Sequence, residues 1–206
     1  MNTDTQTIIT KEIVAGAYSY KEYSELVEKL YAEHRTTNDE NGEDMLEYTK
    51  LNMQRSNRWD KRGVINDELA NKLSDFPRNV TWLVLTEGWC GDASQLLPFL
   101  NKMAEISPSI ELKLILRDEH LNVMDAYLTN GTSRSIPKLI ALDTETLEEL
   151  GTWGPRPKVI QDRFVEMVAD STMSNDDVKR ELHLWYARDK GAGIQAEFFE
   201  ILDNWN

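Results

Sequence analysis

Cysteine is almost missing from this chain: of 206 residues only Cys90 is one. A lone thiol forms no internal disulfide, so nothing marks an oxidising compartment, and no Cys/His cluster offers a zinc site. The three histidines, His34, His120 and His183, are scattered. Positive charge is also scarce, with 23 Lys plus Arg against 36 Asp plus Glu, and the net charge of -13 repels phosphate backbones and anionic lipid surfaces. Nucleic acid and membrane are therefore not expected as partners. No window approaches the roughly 18 consecutive apolar residues of a membrane span. The opening MNTDTQTIIT has neither a basic start nor an apolar run of signal-peptide length, which leads to the expectation of a cytoplasmic protein. What is present is 40% hydrophobic and 9% aromatic residues, enough for a core in one domain with extensions or in two small units.

Ser19 and Glu22 stand in S-x-x-E capping-box spacing, and Tyr23, Leu26, Val27, Leu30 and Tyr31 follow at helical intervals, predicting an amphipathic helix over Ser19–His34. The polar string Arg35–Asn41 interrupts it. Glu43–Asp60 and Asn66–Leu73 then read as further helices. After Phe76-Pro77-Arg78-Asn79 the pattern changes. VTWLVLT (Val80–Thr86) is a short, continuous apolar and β-branched run, the mark of a strand buried on both faces of a mixed or parallel sheet, and the same reading fits IELKLIL (Ile110–Leu116) and KLIAL (Lys138–Leu142). A helix carrying Leu96, Leu97, Phe99, Leu100 and Met103 separates the first two, and Leu121–Leu128 separates the second and third, giving β-α-β-α-β. A fourth strand is expected at Thr146–Thr152 and a covering helix at Lys158–Ala169. Two more helical pieces, with Trp185, Tyr186, Phe198, Phe199 and Trp205 as docked core or interface, flank a break at Gly191-Ala192-Gly193. The expected organisation is a helical extension over 1–78, an α/β domain over 79–170 and a helical extension over 171–206.

Cys90 lies in TEGWCGDAS (Thr86–Ser94), where the first strand gives way to a helix. In an open α/β sheet, functional groups gather where strands end, so Cys90 should share one rim with Arg117, Asp118 and His120 after the second strand. A helix N-terminus favours thiolate. Glu87 and Asp92 oppose it, and Arg117, Arg134 or Arg156 can offset them, so the sign stays open.

Trp89-Cys90-Gly91-Asp92-Ala93 and the later Arg134-Ser135-Ile136-Pro137 resemble the W-C-G-x-C active site and cis-proline loop of the thioredoxin family. With LRDE (Leu116–Glu119), SRSIP (Ser133–Pro137) and WGPRP (Trp153–Pro157), the chain is similar to a thioredoxin-like family of bacterial proteins with helical extensions at both ends. The resemblance implies an α/β, thioredoxin-like fold with a central mixed sheet of about four strands flanked by helices. It also implies Cys90 as the reacting group, with Trp89, Gly91 and Asp92 around it and Arg117 and Arg134 on the rim. Ile136 would pair its backbone with an extended peptide beside cis Pro137, and the turn of Trp153 and Arg156 would lie next to them.

Two departures limit the chemistry. The position of a second thiol is Ala93, and that of the buried acid six residues before the nucleophile is Val84. A dithiol reductase is therefore not expected. Monothiol glutaredoxins carry C-G-F-S, which Asp92-Ala93 does not reproduce, so no cofactor is expected beyond glutathione or another small thiol as co-substrate. The expected activity is monothiol thiol-disulfide exchange, a mixed disulfide between Cys90 and a small thiol or a protein or peptide thiol. The competing expectation is a non-catalytic module that binds peptide or protein in the same groove. Plainer readings stand beside these: Cys90 as a small buried hydrophobe, Arg117 with Asp118 as a surface ion pair, His120 as a solvated loop residue and Trp153 as a packing residue.

Overall fold

The computed structural model describes residues 8–38 and 42–206. Residues 1–7 of the opening segment and 39–41 of the expected polar break lie outside the described residues. Four helices come first: α1 (Lys11–Gly16), α2 (Tyr20–Ala32), α3 (Glu43–Arg62) and α4 (Asp67–Ser74). They lead into β1 (Val80–Thr86), α5 (Gly91–Ile106), β2 (Ile110–Leu116), α6 (Leu121–Ala126), β3 (Lys138–Asp143) and β4 (Glu149–Trp153). The chain closes with α7 (Lys158–Ala169), α8 (Asn175–Asp189) and α9 (Ala192–Asn204). Among the described residues, no helix is long and apolar enough to cross a membrane.

The strands form a mixed sheet in the order β2-β1-β3-β4. β1 runs parallel to β2, starting at Val80 opposite Ile110, and antiparallel to β3, while β4 returns antiparallel on β3. Every residue of β1 is buried, as the uninterrupted VTWLVLT run requires of a central strand covered on both faces. The bounds of β1, β2 and α7 agree with the sequence expectation. β4 starts three residues later than expected because the Asp143 carboxylate accepts from the Glu145 and Thr146 amides and the Thr146 hydroxyl, holding those residues in a turn. α6 stops at Ala126 because Asn130 and Gly131 have positive φ and Thr129 and Ser133 bridge, closing a turn of their own. α1 was not expected. Thr10 caps it by accepting the Ile13 amide at 3.3 Å, and the following Tyr18 pairs in both directions with Leu114 on the outer edge of β2.

α2 keeps its capping box, with Ser19 and Glu22 satisfying each other's amides. α5 is buried along the whole of Asp92–Leu100. It lies within the molecule, with α3 beside it: the Trp59 indole donates to Gln95 Oε1 at 2.5 Å and its ring meets Phe99 at 5.4 Å. At the other end of the sequence, Phe198 of α9 and Trp205 close on Trp82 of β1 at 5.0 and 6.2 Å, ring centre to ring centre. Both extensions thus share one hydrophobic core with the sheet.

Candidate functional site

The turn from β1 to α5 is held from behind by the first helices. Asn52 of α3 donates to the Gly88 carbonyl at 3.1 Å, and the Thr37 hydroxyl accepts the Gly88 amide at 2.9 Å. Cys90 caps α5: its Sγ accepts the Ala93 amide at 3.4 Å, and its thiol donates to the Ile136 carbonyl at 3.3 Å. The residue is only 7% exposed. Burial, followed by the Asp92 charge, pushes the Cys90 thiol up to about 12, against the opposing pull of the α5 amides and Arg156. The thiolate-favouring helix terminus is outweighed by desolvation, and the thiol is protonated at neutral pH.

Beside the thiol, Asp92 is clasped from two later elements. Arg156, in the turn before α7, reaches Asp92 Oδ2 at 2.6 Å, and the Tyr186 hydroxyl of α8 donates to Oδ1 at 2.7 Å. Arg156 also donates to Gln161 at 3.0 Å and lies 4.0 Å over the Phe164 ring. His183 of α8 lies over Gly91, where a Cβ would come within 3.0 Å of its ring, and its Nδ1 is 3.3 Å from Gln95 Nε2. Burial, with Arg55 and Arg156 nearby, pushes the His183 imidazole down to about 4, so it is neutral at pH 7.

Outside the turn lies an open groove of about 280 Å³. Its walls are Trp89, Cys90, Gly91 and Asp92 of the turn, Arg117 after β2, Arg134, Ser135 and Ile136 before β3, and Arg156. The Ile136–Pro137 peptide is cis. Among the described residues nothing accepts a hydrogen bond from the Ile136 amide. Arg117 stacks 4.7 Å over the Trp89 ring and pairs with Asp118 at 2.7 Å.

Trp153 does not line this groove. It is 6% exposed, donates its indole hydrogen to Glu197 at 2.7 Å and meets Phe198 at 5.3 Å, a packing role in the sheet. His120 stands at the start of α6 and is not a wall of the groove either. The family comparison agrees with the mixed sheet and its flanking helices: the Thioredoxin profile matches residues 38–174. The chain belongs to the thioredoxin family. The matched residues span α3 through α7.

A crystal structure of a protein of unknown function from Pseudomonas aeruginosa is similar, with a TM-score of 0.57 and 18% identity over 92% of this chain and 99% of that one. A crystal structure of an HIV epitope-scaffold is similar at TM-score 0.54 and 19% identity, covering 90% of this chain and 98% of that one. Both likenesses concern the fold. The comparison with curated proteins found no match.

Within the thioredoxin fold, the residue that sequence reasoning undervalued is Glu87. Its sequence position marks it only as a charge near the thiol, yet it is fully buried. Its Oε1 accepts the Asp118 amide at 2.9 Å, its Oε2 accepts the Thr37 hydroxyl, and burial raises its carboxyl to about 7. A buried acid is thus present three residues before Cys90 rather than at Val84, which is an apolar residue of β1. The signal in the sequence is a glutamate directly following an apolar and β-branched strand, where a charged residue stays only if it is paired. Glu87 also borders a small cavity of about 70 Å³ behind the turn, shared with Tyr23, Asn52 and Cys90. Among the described residues, no group of three or more His, Cys, Asp or Glu side chains is arranged to hold a metal ion.

Proposed function

We propose that this thioredoxin-family protein is a binding module whose groove holds an extended segment of a partner protein, with Cys90 as a protonated wall rather than a nucleophile. The observation carrying this reading is the thiol itself, 7% exposed, donating to the Ile136 carbonyl and with a pKa pushed up to about 12. At such a pKa the thiolate fraction at pH 7.5 is on the order of 10⁻⁴ or less, so disulfide exchange is slow. The Ile136 amide, with no acceptor among the described residues, is a donor that an extended chain can use.

A second reading, monothiol exchange, is favoured by one observation: Cys90 itself borders the open groove. There the Cys90 thiolate attacks a disulfide, the new S–S bond forms as the old one breaks, and the leaving thiolate departs. With Ala93 one turn on, the mixed disulfide then awaits an external thiol such as glutathione.

Reaction of the native protein with a chromogenic disulfide from pH 6 to 10 separates the two. The module reading expects a rate at pH 7.5 at least 100-fold below that of an unstructured cysteine peptide, recovering in denaturant. A native rate equal to or above the peptide's overturns it in favour of exchange. Peptide binding unchanged in Cys90→Ala is the complementary result the module expects.

A further inference from the structure

The groove's cationic lining contrasts with the charge of the whole chain. The protein carries -13, yet the side chains bordering the groove include three guanidinium groups, on Arg117, Arg134 and Arg156, against one carboxylate, Asp92, while Asp118 and Asp125, which pair with Arg117 and Arg134, stand outside the lining. We propose that the groove's occupant is an acidic segment of a partner protein, whose Asp or Glu carboxylates are taken by Arg117 and Arg134. This rests on the reading of the groove as a peptide site and names the chemistry of its ligand.

The three arginines are not equivalent. Arg156 is spent on Asp92, with side-chain exposures of 12% and 9% for the two, and contributes field rather than contact. Arg134 is available. It sits on Asp125 through Nε at 2.6 Å and Nη2 at 2.7 Å, with both side chains about half exposed. The bidentate pair aims the guanidinium while leaving it half in water, so an incoming carboxylate meets a group that is oriented but not saturated. Its Nη1 has no bonded acceptor among the described residues. Arg117 is more rigid: it is stacked on Trp89, paired with Asp118, and its Nη1 donates to the Arg134 carbonyl at 3.4 Å. That bond ties the two arginines into one wall. A planar fork fixed by stacking loses less freedom on binding a carboxylate than a free lysine would. The protein's overall negative charge does not defeat this, because charges farther than about 8 Å away are screened at physiological salt while a contact pair is not.

The test is selection of a random, cysteine-free decapeptide display library on the full chain at physiological salt, on wild type and on Arg117→Gln and Arg134→Gln. The selected peptides are then measured by fluorescence anisotropy. The expected result is enrichment of Asp and Glu in the wild-type pool. Replacing those acids by Asn and Gln should weaken the selected peptides at least fivefold, and either arginine variant should shrink that ratio. Arg134→Glu, an exposed change that leaves the core intact, should turn the preference toward basic peptides. A pool with neutral or basic peptides in place of acidic ones overturns the acidic-partner inference while leaving the groove reading standing. Recovery of no binding peptide at all overturns both.

Discussion

Asp92 is the residue on which the chemistry of the turn depends. Its carboxylate is almost fully buried, and its charge is held by Arg156 at 2.6 Å and Tyr186 at 2.7 Å. Breaking a buried pair from one side is costly because the remaining charge is stranded. Arg156→Met is therefore expected to lower the stability by about 3–5 kcal/mol in urea unfolding. The double variant Asp92→Asn, Arg156→Met should recover much of that loss. The same pair acts on the thiol in opposite senses, since Asp92 raises the Cys90 pKa and Arg156 lowers it. Alkylation of Cys90 followed against pH should accordingly slow in Arg156→Met. The sequence allowed Asp92 and Arg156 to be named, from their WCGDA and WGPRP settings, but not their pairing. Tyr186 lies 94 residues from Asp92, and a single hydrogen bond across that distance leaves no periodic trace.

Elements whose cues are local were the legible ones. Short apolar and β-branched runs placed β1 and β2, and the Ser19/Glu22 capping box placed the start of α2. What stayed hidden was set by contacts from elsewhere: the short α1, anchored through Tyr18 on Leu114, and the docking of α8 and α9 over the turn and the sheet. The α8–α9 junction shows how tightly that docking is specified. Lys190 and Gly191 both adopt left-handed backbone, and a Cβ on Gly191 would lie 2.3 Å from the Phe99 ring. The substitution Gly191→Ala thus combines positive-φ strain with overpacking against a ring buried beneath α3. A loss of about 3 kcal/mol is expected. Thermal unfolding checks it, and an unchanged midpoint would mean that α9 is not seated on α5 in this way.

For the molecule as a whole, two buried titrating groups set opposing pH dependences, and both lie between an extension and the thioredoxin core. Glu87 joins the α2–α3 loop through Thr37 to the end of β2 through the Asp118 amide. Its pKa is raised from 4.5 to about 7 by burial and by Asp118, while Thr37, the Asp118 amide and Arg117 act downward, and Tyr23 of α2 faces it as well. A carboxyl with a raised folded pKa binds more protons folded than unfolded, so its contribution is full below about 4.5 and is lost as pH rises toward 7. His183, joining α8 to α5, has the reverse sign. Its pKa falls from 6.5 to about 4, so the unfolded chain binds the extra proton and stability rises with pH between those values. Between pH 4.5 and 6.5 the two slopes therefore oppose each other in the wild type. Removing Glu87 uncovers the other slope. Glu87→Gln loses one hydrogen bond, a roughly constant offset of about 1 kcal/mol. Its stability relative to wild type should then climb by roughly 3 kcal/mol from pH 4.5 to above 7. Urea unfolding of the two proteins at half-unit pH steps measures this difference directly. A constant difference across that range would mean that Glu87 titrates as a solvated carboxylate and that the N-terminal helices do not bury it.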